Sequence, residues 1–96
     1  MGVDHAVCIN CAFIWQFDGL EDTGVTHHCD HCARDFTVGR WYGKHYPNAL
    51  VGLFTSPACP QCTSTDSTRG KQVKASFPRL YLRQCNGCWS VWAARS

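Results

Sequence analysis

Residues 8–11 read Cys-Ile-Asn-Cys, and the same Cys-x-x-Cys pattern returns at residues 29–32, 59–62 and 85–88. A Cys-x-x-Cys turn directs two thiolates toward one point, and a tetrahedral Zn²⁺ ion needs four ligands. Taken in chain order, the pairs give C-x2-C-x17-C-x2-C and C-x2-C-x22-C-x2-C, in or near the spacing of zinc ribbons. We therefore predict two structural Zn²⁺ ions. The predicted ligands are Cys8, Cys11, Cys29 and Cys32 for the first ion and Cys59, Cys62, Cys85 and Cys88 for the second.

Cysteines at this density have other uses. In a secreted chain of this size, eight cysteines would indicate a disulfide framework. The first ten residues, MGVDHAVCIN, show neither the basic nor the apolar region of a secretory signal. Redox or iron–sulfur chemistry is a further alternative, although a thioredoxin-like motif would be a single pair on a βαβ scaffold. No apolar run approaches a membrane span. We expect a cytoplasmic protein, within the host cell if it is viral, that does not contact membranes.

Histidines near the cysteines complicate the ligand assignment. His28 directly precedes the second pair, His31 lies within it, and His5 stands three residues before the first pair. Any of the three could replace a thiolate and give a site of three cysteines and one histidine. Because four thiolates are available for each ion, we expect these histidines to lie at the surface or beside the ligands.

The length of the chain favours a fold that depends on metal. Ninety-six residues are split by the cysteine pattern into two halves, each too small to bury a large apolar core. We predict a small metal-stabilised β protein of two tandem zinc ribbons, each a three-stranded antiparallel sheet. The first ribbon spans residues 1–46, an apolar connecting segment spans 47–57, and the second ribbon spans 58–96.

Alternating side chains suggest where the strands lie. Phe13, Trp15 and Phe17 alternate with smaller groups, and Asp18-Gly19 followed by residues 21–24 predicts a turn. Residues 25–28 and 34–38 complete the first sheet.

In the second half, a polar loop over 63–70 precedes a strand over 71–76, and Pro78 predicts a strand start or a bulge. Leu80 and Leu82 share one face of the next strand, and residues 89–92 close the sheet. The apolar segment 41–54 is predicted to pack one ribbon on the other.

Charge separates the two halves. Residues 1–47 have three basic and six acidic side chains, whereas residues 48–96 have six basic and one acidic. A site of four thiolates and one Zn²⁺ adds about −2 to each half. The first half is therefore acidic and suits a protein partner, and the second keeps a local basic excess.

Basic and aromatic side chains are interleaved between residues 69 and 83. Arginine and lysine neutralise phosphates, and aromatic rings stack on exposed bases. A solvated strand face with its aromatics over a small core would give the same pattern. No catalytic constellation is visible, so we expect no enzyme activity and no small-molecule substrate. The candidate nucleic-acid-binding residues are Arg69, Lys71, Lys74, Arg79, Tyr81 and Arg83.

The second half resembles two families of transcription proteins. Its cysteine spacing, with Trp92 four residues after the last cysteine, is similar to the zinc ribbon of transcript-cleavage elongation factors. That family carries an Asp-Glu pair for RNA cleavage. Between Cys62 and Cys85 this chain has Asp66 and no glutamate, so the cleavage activity is not implied.

The same stretch resembles the Ogr/Delta activators of phage late transcription. The resemblance lies in the x22 spacing, in Arg69 seven residues after the second cysteine, and in Tyr81, Gln84 and Asn86 around the third. In that family the last cysteines are spaced C-x4-C, whereas this chain has C-x2-C.

Both resemblances imply a module that works near RNA polymerase or its template. We expect a non-enzymatic zinc-binding regulator that acts on nucleic acid or the transcription machinery. The alternative is a small phage-type inhibitor or adaptor that docks on a host protein and binds no nucleic acid.

Overall fold

Seven β-strands form the described part of the protein. The computed structural model describes residues 2–42, 58–76 and 79–95, and within these ranges the side chains of all but residues 2–4 and 17–21. The strands are β1 (Gly2–Val7), β2 (Ile14–Asp22), β3 (Thr26–Cys29), β4 (Arg34–Thr37), β5 (Ser67–Lys74), β6 (Leu80–Cys85) and β7 (Val91–Arg95). All neighbouring strands pair antiparallel. The prediction of a small β protein is confirmed.

The first half differs in strand number from the single three-stranded sheet that the sequence predicts. It contains two two-stranded sheets, β1-β2 and β3-β4. Strand β1 was not predicted, and it pairs along β2 from Val7 opposite Ile14 to Gly2 opposite Asp22. An isolated bridge joins Ala6 to Arg40, so the first strand is held on its other side as well.

The turn predicted over Asp18-Gly19 and residues 21–24 falls at the end of that stretch, and Asp18-Gly19 belongs to β2. The strand continues to Asp22, and the turn falls at residues 23–24, where Gly24 has a φ of 90°. The register shifts between Val3 and His5. Val3 pairs with Glu21 and His5 pairs with Gln16, so two residues along β1 correspond to five residues along β2. The Asp-Gly pair lies within this irregularity. It therefore marks a break in the pairing rather than the end of the strand.

The second half forms the predicted three-stranded sheet, in the order β5-β6-β7. Its first strand begins at Ser67 and not near Lys71, and its last strand runs beyond Trp92 to Arg95. Leu80 and Leu82 are fully buried, which confirms their shared inward face. Phe77 and Pro78, and with them the predicted strand start or bulge, lie outside the described residues.

The two halves share an apolar core. Val7 and Ile9 of the first half pack with Leu82 and Val91 of the second. Backbone hydrogen bonds cross the same contact, from Lys71 N to Ile9 O (2.9 Å) and from Val91 N to Arg40 O (2.8 Å). Neither set of strands therefore buries its apolar face alone.

The first residue of the segment predicted to pack one half on the other makes such a contact. Trp41 forms a parallel bridge with Val91 and packs against the core of the second sheet. The Tyr42 N–H donates to Val91 O at 2.7 Å. Residues 43–54, and the connecting segment 47–57, lie outside the described residues.

Candidate metal centres and basic strand face

The eight cysteines converge in two groups of four. The first site contains Cys8, Cys11, Cys29 and Cys32, and the second site contains Cys59, Cys62, Cys85 and Cys88. Within each site all four sulfur atoms lie within 4.8 Å of one another. The first two Cys-x-x-Cys pairs thus form one site and the last two form the other, as the spacing predicts. None of the eight cysteines forms a disulfide.

The sulfur geometry fits a tetrahedral ion. In the first site Cys8 Sγ and Cys32 Sγ are 3.7 Å apart, as are the sulfurs of Cys11 and Cys29. In the second site the two corresponding distances are both 3.5 Å. A Zn–S bond of about 2.3 Å gives a tetrahedral edge of about 3.8 Å, whereas bonded disulfide sulfurs are about 2.05 Å apart. Each site can therefore hold one metal ion through four sulfurs.

Each Cys-x-x-Cys segment and the residue after it form the same backbone turn, here called a knuckle. Knuckles 1 to 4 span residues 8–12, 29–33, 59–63 and 85–89. In each, the N–H of the last residue donates to the carbonyl oxygen of the first cysteine at 2.8–3.1 Å. That last residue always has a positive φ of 61–67°, and none of the four is glycine. A non-glycine residue in this region costs about 1–2 kcal/mol. The local strain is the same in all four knuckles: the last residues are Ala12, Ala33, Thr63 and Trp89.

N–H groups point at the ligand sulfurs. In the second site Gln61 N lies 3.4 Å from Cys59 Sγ, and Gly87 N lies 3.3 Å from Cys85 Sγ. In the first site the Trp15 indole N–H donates to Cys29 Sγ at 3.4 Å. Donors of this kind stabilise thiolates and orient them toward a metal. The Trp15 donor lies 14 residues from Cys29 and is not predicted by the knuckle pattern.

The thiols of one site differ in acidity. Burial opposes ionisation of Cys29, but hydrogen bonds from the Trp15 indole and from backbone N–H groups outweigh it and lower the pKa to about 6. Burial raises the pKa of Cys8 to about 12. In the second site burial likewise opposes ionisation of Cys88, but hydrogen bonds from Ser90 lower its pKa to about 7. The Ser64 backbone favours the Cys62 thiolate, yet hydrogen bonding with neighbouring thiols raises its pKa to about 12. A divalent cation would therefore release protons as it binds.

The histidines lie beside the first site rather than in it, as predicted. Among the described residues, both metal-binding groups contain cysteine alone. His28 Nδ1 lies 2.9 Å from Asp35 Oδ1, and this hydrogen bond is the main cause that raises the pKa of His28. The His31 ring stacks on Phe13. His5 is partly buried in β1.

Two glycines allow each half to contact a knuckle of the other. A Cβ on Gly39 would lie 1.6 Å from the carbonyl oxygen of Trp89 in knuckle 4. A Cβ on Gly70 would lie 2.1 Å from Ile9 Cγ1 and 2.3 Å from Ile9 O in knuckle 1. Both contacts leave no room for a side chain. From the sequence, Gly39 is predicted only to end a strand. Its contact with Trp89 could not be predicted, because Trp89 is fifty positions away.

The buried side chain of Gln84 joins the halves at the same place. Its amide nitrogen donates to Thr37 O at 2.9 Å and to Trp89 O at 3.0 Å. The backbone carbonyl of Trp89 thus meets Gly39 and Gln84 together, one residue after the ligand Cys88. The position of knuckle 4 is linked to the first half.

The structure brings three of the six candidate nucleic-acid residues together on one face of β5 and β6. Arg69 lies directly opposite Arg83 in the strand register. The Arg69 guanidinium lies 4.7 Å from the centroid of the Tyr81 ring. Arg83 Nη1 donates to Ser67 Oγ at 3.1 Å, and its buried Nε has no acceptor among the described residues. We call Arg69, Tyr81 and Arg83 the basic face.

The other three candidates lie apart from the basic face. Lys71 is exposed beside the contact with Ile9, Lys74 pairs opposite Leu80 at the end of β5, and Arg79 is exposed just before β6. The pairing of β5 with β6 shifts twice between Arg69 and Lys74. These irregularities interrupt the alternation that the sequence pattern assumes, which is why the basic residues do not form one continuous row.

A groove of about 450 Å³ separates knuckle 1 from β5. Phe13 lines it, with 39% of its surface exposed, and its ring stacks on His31 at 4.6 Å between centroids. Ile14 and Val73 add apolar surface, and Lys71 stands on the opposite wall. Sequence reasoning missed this groove, since it forms only where the two halves meet.

The fold and the two sites define the class: a small β protein with two four-cysteine sites suited to metal ions. Comparison with models of known protein families, with curated protein sequences and with solved structures found no match. In the part of the chain that the structure describes, no helix is long and apolar enough to cross a membrane.

Proposed function

We propose that this protein is a non-enzymatic nucleic-acid-binding module whose two four-cysteine sites hold structural Zn²⁺. Four thiolates at tetrahedral spacing suit Zn²⁺, and a site with four protein ligands leaves no open position for catalysis. The ions would stabilise two small halves that share one core. The expected partners are nucleic acid and, near it, the transcription machinery.

The arginine pair of the basic face is the observation that supports nucleic-acid binding. Like charges directly opposite on neighbouring strands repel each other and destabilise the sheet. Among the described residues no carboxylate pairs with Arg69 or Arg83. A bound phosphate would offset that repulsion, since arginine binds phosphate through paired donors. The Arg69 guanidinium lies over the Tyr81 ring, and Arg83 reaches Ser67 on the other side of the pair.

Metal identity is tested first. Elemental analysis of the purified protein is expected to give two zinc ions per chain, and mass spectrometry without reductant the mass of eight free thiols. One ion per chain, or a mass lower by eight hydrogens, would contradict the proposal. Iron in place of zinc would also contradict it.

Binding is tested by fluorescence anisotropy with labelled oligonucleotides over a range of salt concentrations. The variant with Arg69→Ala and Arg83→Ala should bind more weakly, and its plot of log affinity against log salt should be less steep by roughly 2. Arg34→Ala removes a positive charge from an exposed side chain of β4 and serves as the matched control. Equal losses in both variants, or no binding above that of an unrelated protein of similar charge, would favour a protein-binding adaptor.

A further inference from the structure

We propose that the groove between knuckle 1 and β5 binds one unpaired base of a single-stranded nucleic acid, which stacks on Phe13. The inference rests on the proposed function and specifies its ligand as a single strand rather than a duplex. It involves residues of the first half, which the charge pattern assigns to a protein partner.

Phe13 is held in place before any ligand arrives. Its carbonyl oxygen accepts a hydrogen bond from Cys8 N at 2.9 Å, and it follows Ala12, whose φ is 66°. Its ring stacks on His31 and meets Trp15 edge to face at 5.1 Å. An aromatic ring that is already held by such neighbours loses little freedom when a base stacks on its exposed face. The exposed part of the ring faces a groove of about 450 Å³.

The charges around the groove favour a neutral base inside it and a phosphate on its opposite wall. Cys11 lines the groove near the first site, and four thiolates with one divalent ion carry a net charge of −2. That charge would repel a phosphate in the groove but not a neutral base. Lys71 on the opposite wall can meet the phosphate, and Gln72 offers polar groups to the edge of the base.

The groove and the basic face are neighbours on β5. Lys71 is two residues from Arg69, at most about 6.6 Å along the chain, with a register shift between Arg69 and Gln72. A strand whose base stacks on Phe13 would therefore carry its next phosphates toward Arg69 and Arg83. Stacked bases and phosphate contacts together are the usual mode of single-strand binding. A duplex keeps its bases paired and would reach only the basic face.

The experiment compares a twelve-nucleotide deoxythymidine strand with a twelve-base-pair duplex, both labelled, on the zinc-loaded protein. We expect tighter binding of the single strand. Phe13→Leu keeps an apolar side chain but removes the aromatic ring, and should weaken single-strand binding roughly tenfold with little change for the duplex. Phe13→Trp should retain single-strand affinity. The matched control is Val25→Ala, since Val25 is 42% exposed and does not line the groove.

Metal content and melting temperature are measured for each variant, so that a loss of binding is compared only among folded proteins. If Phe13→Leu binds both probes normally while the double arginine variant weakens both, the base site is refuted and the proposed function stands. If neither probe binds the wild-type protein, both proposals fail. NMR shifts of Phe13 and His31 with an acidic tyrosine-containing peptide, but not with the single strand, would assign the groove to a protein partner and overturn the inference.

Discussion

Replacing Gly39 with alanine tests whether the two halves hold each other's metal sites. The added Cβ would lie 1.6 Å from Trp89 O, 2.7 Å from Trp89 C and 2.9 Å from Gln84 Nε2. Two of these atoms belong to the backbone of knuckle 4, which cannot rotate aside as a side chain can. The substitution therefore requires knuckle 4 to move away from the first half.

The cost follows from two contacts. To reach an ordinary 3.4 Å separation, the Trp89 carbonyl must move by about 1.8 Å, and overpacking of this kind costs about 1–3 kcal/mol. Such a movement breaks the hydrogen bond from Gln84 to Trp89 O, and a buried polar group left unpaired costs about 1–3 kcal/mol. A loss of about 4 kcal/mol is a large part of the roughly 5–15 kcal/mol that stabilises a domain. Since Trp89 directly follows Cys88, we expect part of that loss to appear as weaker metal binding at the second site.

The assay loads the protein with added Zn²⁺ and follows its release from each site in a chelator competition, together with thermal unfolding. Gly39→Ala should bind the added ion at the second site at least tenfold more weakly and melt more than about 10 °C lower. Gly87→Ala is the matched control, because a Cβ there would meet only Cys85 Sγ, at an ordinary 3.7 Å.

The opposite contact gives the reciprocal experiment. Gly70→Ala places a Cβ against Ile9 in knuckle 1 and should weaken the first site in preference to the second. The reasoning would be refuted if Gly39→Ala and Gly70→Ala bound both ions with wild-type affinity and melted within about 2 °C of the wild-type protein. In that case the halves would be independent and their contact would not matter for metal binding.

Two further outcomes follow from local geometry. Ala33→Gly should raise the free energy of unfolding by about 1 kcal/mol, because exposed Ala33 has a φ of 61°; Ala75→Gly, also exposed but without a positive φ, should lower it. The pKa of His28 should lie above its ordinary 6.5 in an NMR titration, and Asp35→Asn should lower it. A raised folded-state pKa means that the ion pair contributes fully below pH 6.5 and that its contribution is lost as pH rises through that pKa. An unchanged His28 pKa in Asp35→Asn would show that the carboxylate is not the cause.

The metal sites could be predicted from sequence because their geometry is local. Each knuckle brings two sulfurs together within four residues, so spacing alone pairs Cys8 with Cys11 and Cys85 with Cys88. Only the order of the pairs had to be assumed, and chain order is what the structure shows. The Leu80 and Leu82 face of β6 was equally accessible, because alternation along one strand needs no distant partner.

Features that depend on distant contacts were missed. Strand β1 is defined by its pairing with β2 and by the bridge from Ala6 to Arg40, neither of which has a local signal. The Asp18-Gly19 pair is a strong local turn signal, but tertiary pairing continues the strand past it to Asp22. The close contacts at Gly39 and Gly70 arise only when the halves meet.

The hydrogen bond from the Trp15 indole to the Cys29 sulfur has an optical consequence. Indole emission responds to what its N–H group donates to, and here the acceptor changes from a metal-bound thiolate to a free thiol when the ion leaves. Trp89 and Trp92 lie close to the other group of cysteines, the latter packed against Cys59 and Cys85. The protein therefore has at least one tryptophan beside each of its two four-cysteine sites. Replacing Trp15 with phenylalanine would leave the emission of Trp41, Trp89 and Trp92, so the change lost in this variant is the one that reports the first site. The order in which the ions leave can then be followed without a label.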